Sequence, residues 1–258
     1  MSSIDRTPAL LLPVLTLIAI IATFIVNVWS NIAPIFGQTI GEISNTEFAN
    51  VLIVPANYAF AIWGLIYLGL LGFGIYQLLR EQRSNPRLQQ VRPLLILACV
   101  AQAVWVFLFL SRQFWLSVVA MLLILLPLIG CYLKLGVGRS VNRAEQWLAH
   151  RPFSLYLGWI SVATIVNVAL ALYSQNWNGW GLSGETWTQI MMVVAAAIGV
   201  AVALRQRDAV YPLVITWALL AIAIRHLEMP SIAVPAVVWA IGVAIGAGLQ
   251  FRRSKSDR

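Results

Sequence analysis

The stretch Phe114–Leu133, FWLSVVAMLLILLPLIGCYL, is a run of 20 uncharged and mostly apolar residues. About 20 apolar residues is the length that an α-helix needs to cross the roughly 30 Å of hydrocarbon in a bilayer. Similar blocks follow one another along all 258 residues, of which 60% are hydrophobic and only 10% are charged. An ordinary soluble domain carries about 25% charged residues. The sequence therefore excludes a water-soluble globule and predicts an all-α integral membrane protein.

The spans can be bounded by charge, because an Arg, Lys or Asp at mid-bilayer costs about 2.5 to 3.5 kcal/mol. The uncharged stretches predict an eight-span helical bundle. They are Ala9–Asn27, Tyr58–Leu79, Pro93–Leu110, Phe114–Leu133, Phe153–Ser174, Trp187–Leu204, Tyr211–Ile224 and Ile232–Phe251. The seventh is the weakest candidate, since its uncharged run covers only Ala209–Ile224, and a bundle of seven spans stays open.

The distribution of basic residues predicts the orientation, because Lys and Arg concentrate in cytoplasmic loops. All but two of the 17 basic residues fall in alternate segments: the amino terminus, residues 80–92, residues 134–151, residues 205–207 and the tail. The two exceptions are Arg112 and Arg225. The eight-span count keeps both termini cytoplasmic, and losing the seventh span would spoil the alternation. Because the charge lies in short clusters between apolar blocks, we expect no nucleic-acid partner.

The first apolar block follows Arg6 and could be read as a signal peptide. Its length and the lack of a small-residue cleavage site in NVWSNIAP favour an uncleaved span. The following connection, Ile32–Pro55, is rich in Gly, Ser, Asn and Pro and is long enough to fold over the mouth of the bundle. By contrast, the link Ser111–Gln113 forces the third and fourth spans into an antiparallel hairpin.

Catalytic and ion-binding signatures are missing from the sequence. None of the eight predicted span cores contains an ionisable residue, which argues against a proton-coupled or sodium-coupled transporter. The motifs GxxxxGK[ST], HExxH and GxSxG are absent. His150 and His226 are interpreted as solvated residues at the membrane edge rather than metal or haem ligands. Cys99 and Cys131 lie in apolar blocks without a CxxC partner. We therefore expect no catalytic residue, no metal site and no enzyme.

Aromatic and amide side chains recur at helical spacing in three of the predicted spans, so each group shares one helix face. These candidate ligand-binding residues are Phe60, Trp63 and Tyr67 in the second span, Gln102, Trp105 and Phe109 in the third, and Tyr156, Trp159, Ala163 and Asn167 in the fifth. Convergent stripes of this kind would form a mostly apolar pocket with a few polar anchors. The alternative is that they only pack the helices, with Gln102 and Asn167 as interhelical hydrogen-bonding residues.

Three stretches resemble the TspO/MBR family, the translocator proteins also called tryptophan-rich sensory proteins. PANYAFAIWGLIY at Pro55–Tyr67 is similar to the second-helix signature, and YLGWISVATIVN at Tyr156–Asn167 is similar to the fifth helix. Gln102, Trp105 and Phe109 resemble the third. The resemblance covers about residues 10–174. It implies a five-helix core, placed in residues 1–176, with a cavity for porphyrins, sterol-like or drug-like ligands beneath the loop between helices one and two.

By this resemblance the cavity residues are Trp63, Tyr67, Trp105, Tyr156, Trp159, Ala163 and Asn167, and Ile32–Pro55 is the lid. Residues 177–258 would form a three-helix transmembrane extension with a basic cytoplasmic tail. In that last span, Gly242 and Gly246 form a GxxxG pattern compatible with a homodimer.

The expected function is that of a non-enzymatic sensory or receptor-like protein that binds a hydrophobic planar ligand, such as a tetrapyrrole, and needs no cofactor. The expected location is a plasma membrane or an internal photosynthetic membrane. Two alternatives stay open. One is a transporter or permease for a small neutral or amphipathic solute, and the other is an enzyme that uses Tyr156 or His226.

Overall fold

The computed structural model describes residues 10–256, with side-chain surroundings through Leu249, and this part of the chain is helical with connecting turns. The helices are α1 (Leu11–Ile32), α2 (Ile40–Thr46), α3 (Ile62–Tyr76), α4 (Arg80–Arg83), α5 (Pro86–Leu110), α6 (Phe114–Leu135), α7 (Arg143–Glu145), α8 (Arg151–Ser174), α9 (Gly184–Gln206), α10 (Val210–Arg225) and α11 (Pro230–Ser256). Turns of 3-10 helix precede α3 and α9, at Asn57–Ala61 and Gly179–Gly181, and one π-helical turn, Gln146–His150, joins α7 to α8.

Each of the eight predicted spans corresponds to a helix, and the all-helical membrane architecture is confirmed. Among the described residues, seven helical segments are long and apolar enough to cross a membrane. The eighth, α10, has 16 residues and is shorter, as its brief uncharged run indicates. The expected start at Ala9 and the basic residues Arg6 and Arg258 lie outside the described residues, and the side chains of Arg252, Arg253 and Lys255 are likewise outside the description.

Five helices form a closed ring in which α1 contacts α3 and α5, α6 contacts α5 and α8, and α8 contacts α3. The other three, α9, α10 and α11, pack on one another, and α10 also packs on α8. Gly158 of α8 permits this contact, since a Cβ atom there would lie 3.0 Å from Cβ of Val214 and 3.3 Å from the carbonyl oxygen of Tyr211. The three C-terminal helices therefore join the ring through one close helix pair.

The connections gather at two ends of the bundle. At the end that we call the lid face, residues 33–56 (the lid segment) contact the α5–α6 link through a salt bridge of 2.8 Å between Glu47 and Arg112. At the opposite face, the turn after α6 meets the end of α9. Gly138 has φ +93, and a Cβ atom there would lie 1.5 Å from the carbonyl oxygen of Gln206. This turn therefore requires glycine for both conformation and space.

Local sequence signals begin and end the helices. Thr39 and Glu42 form a capping box that starts α2 within the lid segment. Asn85 accepts a hydrogen bond from the backbone of Arg87, ahead of Pro86 at the first turn of α5. The predicted α5–α6 hairpin is present, since α5 ends at Leu110 and α6 begins at Phe114 beside it.

The two glycines of the C-terminal GxxxG pattern lie in different surroundings. Gly242 is exposed, and no atom lies within 4 Å of a Cβ atom built there. Gly246 is buried and faces Cγ2 of Val200 on α9 at 3.8 Å. The pair therefore does not form one exposed stripe, and a homodimer through this pattern stays a prediction.

Candidate functional site

Helices α3, α5 and α8 turn indole rings toward a shared space inside the five-helix ring. Trp159 and Trp105 are 2% and 8% exposed, and Trp63 is partly buried against the same core. A cavity of about 50 Å³ lies among these three side chains. Seven of the ten predicted site residues line it: Phe60, Trp63, Trp105, Phe109, Trp159, Ala163 and Asn167. The helical spacing of the aromatic and amide residues therefore identified the faces of α3, α5 and α8 that meet at this cavity.

The lid segment roofs this cavity, which we call the aromatic cavity. Ile40 and Ser44 of α2 contribute to its lining, and so does Pro55, just before the 3-10 turn that leads into α3. The lid segment also packs on the bundle through Phe48, whose ring lies 4.9 Å from that of Phe114 and 5.9 Å from that of Tyr173. A loop over the cavity mouth is thus present where the sequence predicted one.

Asn167 holds the indole of Trp105 in the cavity wall. The Trp105 Nε1–H group donates to Oδ1 of Asn167 at 2.7 Å, and Nδ2 of Asn167 donates to Oγ of Ser117 on α6 at 2.9 Å. Oγ of Ser117 in turn donates to the carbonyl oxygen of Phe114 at 2.7 Å. The network joins α5, α6 and α8, so much of the hydrogen-bonding capacity of Asn167 is used in orienting the wall.

The other three predicted residues lie outside the cavity lining but in contact with the aromatic wall or deep in the same core. Tyr67 stacks on Trp63, with ring centroids 5.5 Å apart, and Tyr156 meets the same indole at 6.0 Å. Gln102 is 1% exposed and lies one helical turn below Trp105 on α5. Together they fill the bundle interior below the cavity on the side away from the lid segment.

Several polar atoms in this region have no hydrogen-bond partner among the residues that the structure describes. They are Nε1 of Trp159, Oη of Tyr67 and both amide atoms of Gln102. A buried polar group left unpaired costs about 1 to 3 kcal/mol, and such groups commonly mark a site for water or a ligand. Trp159 also lines the cavity, and its N–H group is a buried donor without a partner among the described residues.

Two arginines attach the lid segment to the rest of the bundle. Nε and Nη2 of Arg112 donate to Oε1 of Glu47 at 3.0 and 2.8 Å, and Nη2 also donates to Oε1 of Gln38. At the end of α10, Nη1 of Arg225 donates to Oδ1 of Asn45 at 2.9 Å. These are the two basic residues that depart from the charge alternation, and both contact the lid segment.

His226 is a third attachment. Its Nε2 lies 2.9 Å from the carbonyl oxygen of Leu52 in the lid segment. Burial lowers the pKa of His226 from the ordinary value of 6.5, the Leu52 carbonyl opposes this and the neighbouring Arg225 adds to it. His226 lies directly after α10, at the membrane edge as interpreted from the sequence, and it is partly exposed and in contact with backbone.

Buried polar groups gather at the opposite face, among the loops that carry most of the basic residues. The interpretation of His150 as a solvated residue was wrong, since it is 4% exposed, with Nε2 3.8 Å from Oε1 of Glu145. His150 is covered by the neighbouring helix ends, since it lies beside Arg87 of α5 and the backbone of Leu135 at the end of α6. On another side of the π-helical turn, α3 approaches closely, and a Cβ atom at Gly72 would lie 3.2 Å from Cδ2 of Leu148.

Arg92 and Asp208 are two charged residues that are also buried at the opposite face. Arg92, one residue before the predicted third span, is inside α5 and 1% exposed, and its guanidinium donates to Oε1 of Gln77 at 2.8 Å and to three backbone carbonyls. Asp208 accepts from Oη of Tyr132 at 2.9 Å and from Oγ of Ser154. Paired in this way, the two groups tie the ends of helices together at the opposite face.

Sequence reasoning missed the cavity residues that lie between the aromatic stripes or on helices without one. They are Ile40, Ser44, Pro55, Met121, Val162, Val166 and Leu170. Of these residues, Met121 could have been identified from the sequence as part of an interior helix face. Phe114, Ser117 and Met121 repeat the i, i+3, i+7 spacing on α6.

Comparison with known proteins agrees with this architecture. A family model described as "TSPO-like protein" matches residues 13–249. The match extends past the first five spans, where the sequence resemblance lay, and through α9, α10 and α11. No curated protein and no solved structure gave a significant match. On the strength of the family match, which covers nearly the whole chain, this membrane protein belongs to the TSPO-like family.

Proposed function

We propose that the chain is a membrane receptor or sensor that binds a hydrophobic planar ligand of the tetrapyrrole class in the aromatic cavity. The observation that carries the proposal is the convergence of Trp63, Trp105 and Trp159 on one cavity beneath the lid segment. Indole rings stack on flat conjugated molecules, and stacking of bases on protein aromatics contributes about 1 to 3 kcal/mol per ring. Two or three such contacts would support micromolar binding.

The polar atoms around the cavity complement an aromatic ligand that carries a few acceptors. The N–H group of Trp159 is unpaired and would donate to a ring nitrogen or carbonyl of the ligand. Deeper in the bundle, the amide of Gln102 offers both a donor and an acceptor. A pocket with apolar walls and a small number of polar groups is the usual composition of a small-molecule site.

The size of the cavity requires that the site open before a large ligand enters. Its volume of about 50 Å³ admits a few water-sized groups. Pockets for drug-sized ligands are commonly about 300 to 1,000 Å³. Phe60 and Trp63 are only partly buried, and the lid segment is attached both by buried apolar side chains such as Phe48 and by polar contacts at the surface. In the proposal these parts move apart to admit the ring and close over it.

We further propose that the lid face is extracytoplasmic and the opposite face cytoplasmic. The loops of the opposite face carry Arg80, Arg83, Lys134, Arg139 and Arg205. The positive-inside rule favours this orientation in either a plasma membrane or an internal photosynthetic membrane.

A receptor is favoured over a transporter by the packing below the aromatic cavity. A transported solute would have to pass Tyr67, Gln102 and Tyr156, which are 4%, 1% and 1% exposed and fill the interior. For the same reason Tyr156 is a poor candidate for catalysis, because it does not line the cavity. We accordingly propose binding without chemical conversion of the ligand.

The test is a titration of the purified protein in lipid nanodiscs with protoporphyrin IX, followed by porphyrin fluorescence. The Trp63→Ala, Trp159→Ala double variant should weaken binding at least about tenfold, since two stacking contacts are lost. The matched control is the Trp29→Ala, Trp180→Ala double variant, whose indoles are 60% and 78% exposed. Equal affinity of the first variant and the wild-type protein would refute the proposed site.

A further inference from the structure

A second cavity lies on the other side of α8, between α8, α9 and α10. Its volume is about 20 Å³. Every residue that lines it is aliphatic or methionine, so no side-chain nitrogen or oxygen faces it. A space of this kind cannot hold water well, because a buried water needs two to four polar partners. A hydrocarbon group is therefore the kind of ligand group that it could accept, and we call it the aliphatic cavity.

The aliphatic cavity adjoins the aromatic cavity. Val162 and Val166, one turn apart on α8, line both. The lid segment also reaches both, since Ile53 lines the aliphatic cavity and Pro55 lines the aromatic cavity. Val162 and Val166 therefore lie in the wall between the two spaces.

The walls of the aliphatic cavity combine small and adaptable residues. Ala195 of α9 and Ala218 of α10 leave the space open, and Gly199 lets α9 approach α10, since a Cβ atom there would lie 3.3 Å from Cγ1 of Ile215. Met191 and Met192 of α9 form the other side. Methionine is unbranched and flexible, so this wall can make room for a chain longer than the closed cavity admits.

We propose that the ligand of this protein is a planar ring that carries a hydrocarbon tail, with the ring in the aromatic cavity and the tail in the aliphatic cavity. This inference rests on the proposed function and adds the tail to the ligand class. Helices α9 and α10 thereby acquire a role in recognition, because they supply most of the tail site while the five-helix ring supplies the ring site.

The experiment compares two ligands of equal charge, the monomethyl and monohexyl esters of protoporphyrin IX, in nanodiscs. The measured quantity is the ratio of the two dissociation constants, methyl over hexyl, in each variant. Ala195→Leu fills the aliphatic cavity and should lower this ratio about tenfold, the equivalent of about two buried methylene groups, without changing the affinity for the methyl ester. Partition of the hexyl ester into lipid is the same for every variant and cancels in the comparison.

Two further variants complete the test. Ala197→Leu adds the same atoms at an exposed position of α9 and should leave the ratio at the wild-type value. Met191→Ala enlarges the aliphatic cavity and should raise the ratio. If Ala195→Leu does not fold, Met191→Ala is the variant that tests the proposal. An unchanged ratio in a folded aliphatic-cavity variant, with normal binding of the methyl ester, would overturn the tail site and leave the proposed function intact. Absence of methyl-ester binding to the wild-type protein would overturn both.

Discussion

Removing the two arginine attachments should loosen the lid segment without unfolding the bundle. The perturbation is the Arg112→Gln, Arg225→Gln double variant, which keeps long polar side chains but removes both charges. Arg112 and Glu47 are 31% and 36% exposed in their side chains, so their ion pair belongs to the class that contributes about 0.2 to 1 kcal/mol. The hydrogen bond from Arg225 to Asn45 is partly buried and of similar size.

The two attachments share no partner, so their contributions should add. Together they amount to about 0.4 to 2 kcal/mol, which is about a 2- to 30-fold change in the opening equilibrium. Hydrogen exchange measured by mass spectrometry reports this equilibrium directly, because backbone amides exchange through local opening. We expect amides in residues 40–56 to exchange about 2 to 30 times faster in the double variant, and each single variant to show roughly the square root of that effect.

The matched control is Arg87→Gln. Arg87 forms a salt bridge of 3.2 Å with Glu145 at the opposite face, so its loss changes the charge without touching the lid segment. Exchange in residues 40–56 should then equal that of the wild-type protein. Unchanged exchange of these amides in the double variant, or equal acceleration in the control, would refute the assignment of Arg112 and Arg225 as attachments of the lid segment.

Three further predictions concern the cavity wall, the opposite face and pH. Asn167→Ala leaves the indole N–H of Trp105 unpaired and should lower the free energy of unfolding by about 1 to 3 kcal/mol in an SDS titration, and a loss below 0.5 kcal/mol would contradict the network. Gly138→Ala places a Cβ atom 1.5 Å from the carbonyl oxygen of Gln206 at φ +93, so the thermal midpoint should fall, and an unaltered midpoint would contradict the turn. Because burial lowers the pKa of His226, the closed state is favoured above pH 6.5 and loses stability as the pH falls through that value. The hydrogen-exchange rate of amides in the lid segment, corrected for intrinsic rates, should therefore rise as the pH falls. An equal rise in the His226→Gln variant would show that a group other than His226 causes it.

Helical periodicity predicted much of the candidate site, because the face on which a residue lies depends only on its position within one helix. Trp63 and Phe60 share a face of α3 and its preceding turn, and Trp159 and Ala163 share a face of α8, whatever their neighbours are. Since polar and aromatic faces of membrane helices turn toward the protein interior, the stripes were expected to converge. The lid segment was equally accessible to sequence reasoning, because a long polar connection between two spans has few other places to lie.

Features that depend on how closely two helices approach were beyond the sequence. His150 lies beside an arginine in the sequence and looks like an interfacial residue, yet it is buried against the ends of α5 and α6, beside Arg87 and Leu135. Gln102 shares a helix face with Trp105 but lies beyond the end of the cavity. Spacing along one helix does not show where a cavity between helices ends. The aliphatic cavity was missed for the same reason, since its walls belong to three different helices and the lid segment.

The most direct test of the account is a structure determined in nanodiscs with saturating protoporphyrin IX. We expect ligand density between Trp63, Trp105 and Trp159, with the lid segment closed over it and the Trp159 N–H group within hydrogen-bonding distance of the ring. Density on the lipid-facing surface, with the aromatic cavity unchanged and empty at a concentration that saturates binding, would contradict the central claim.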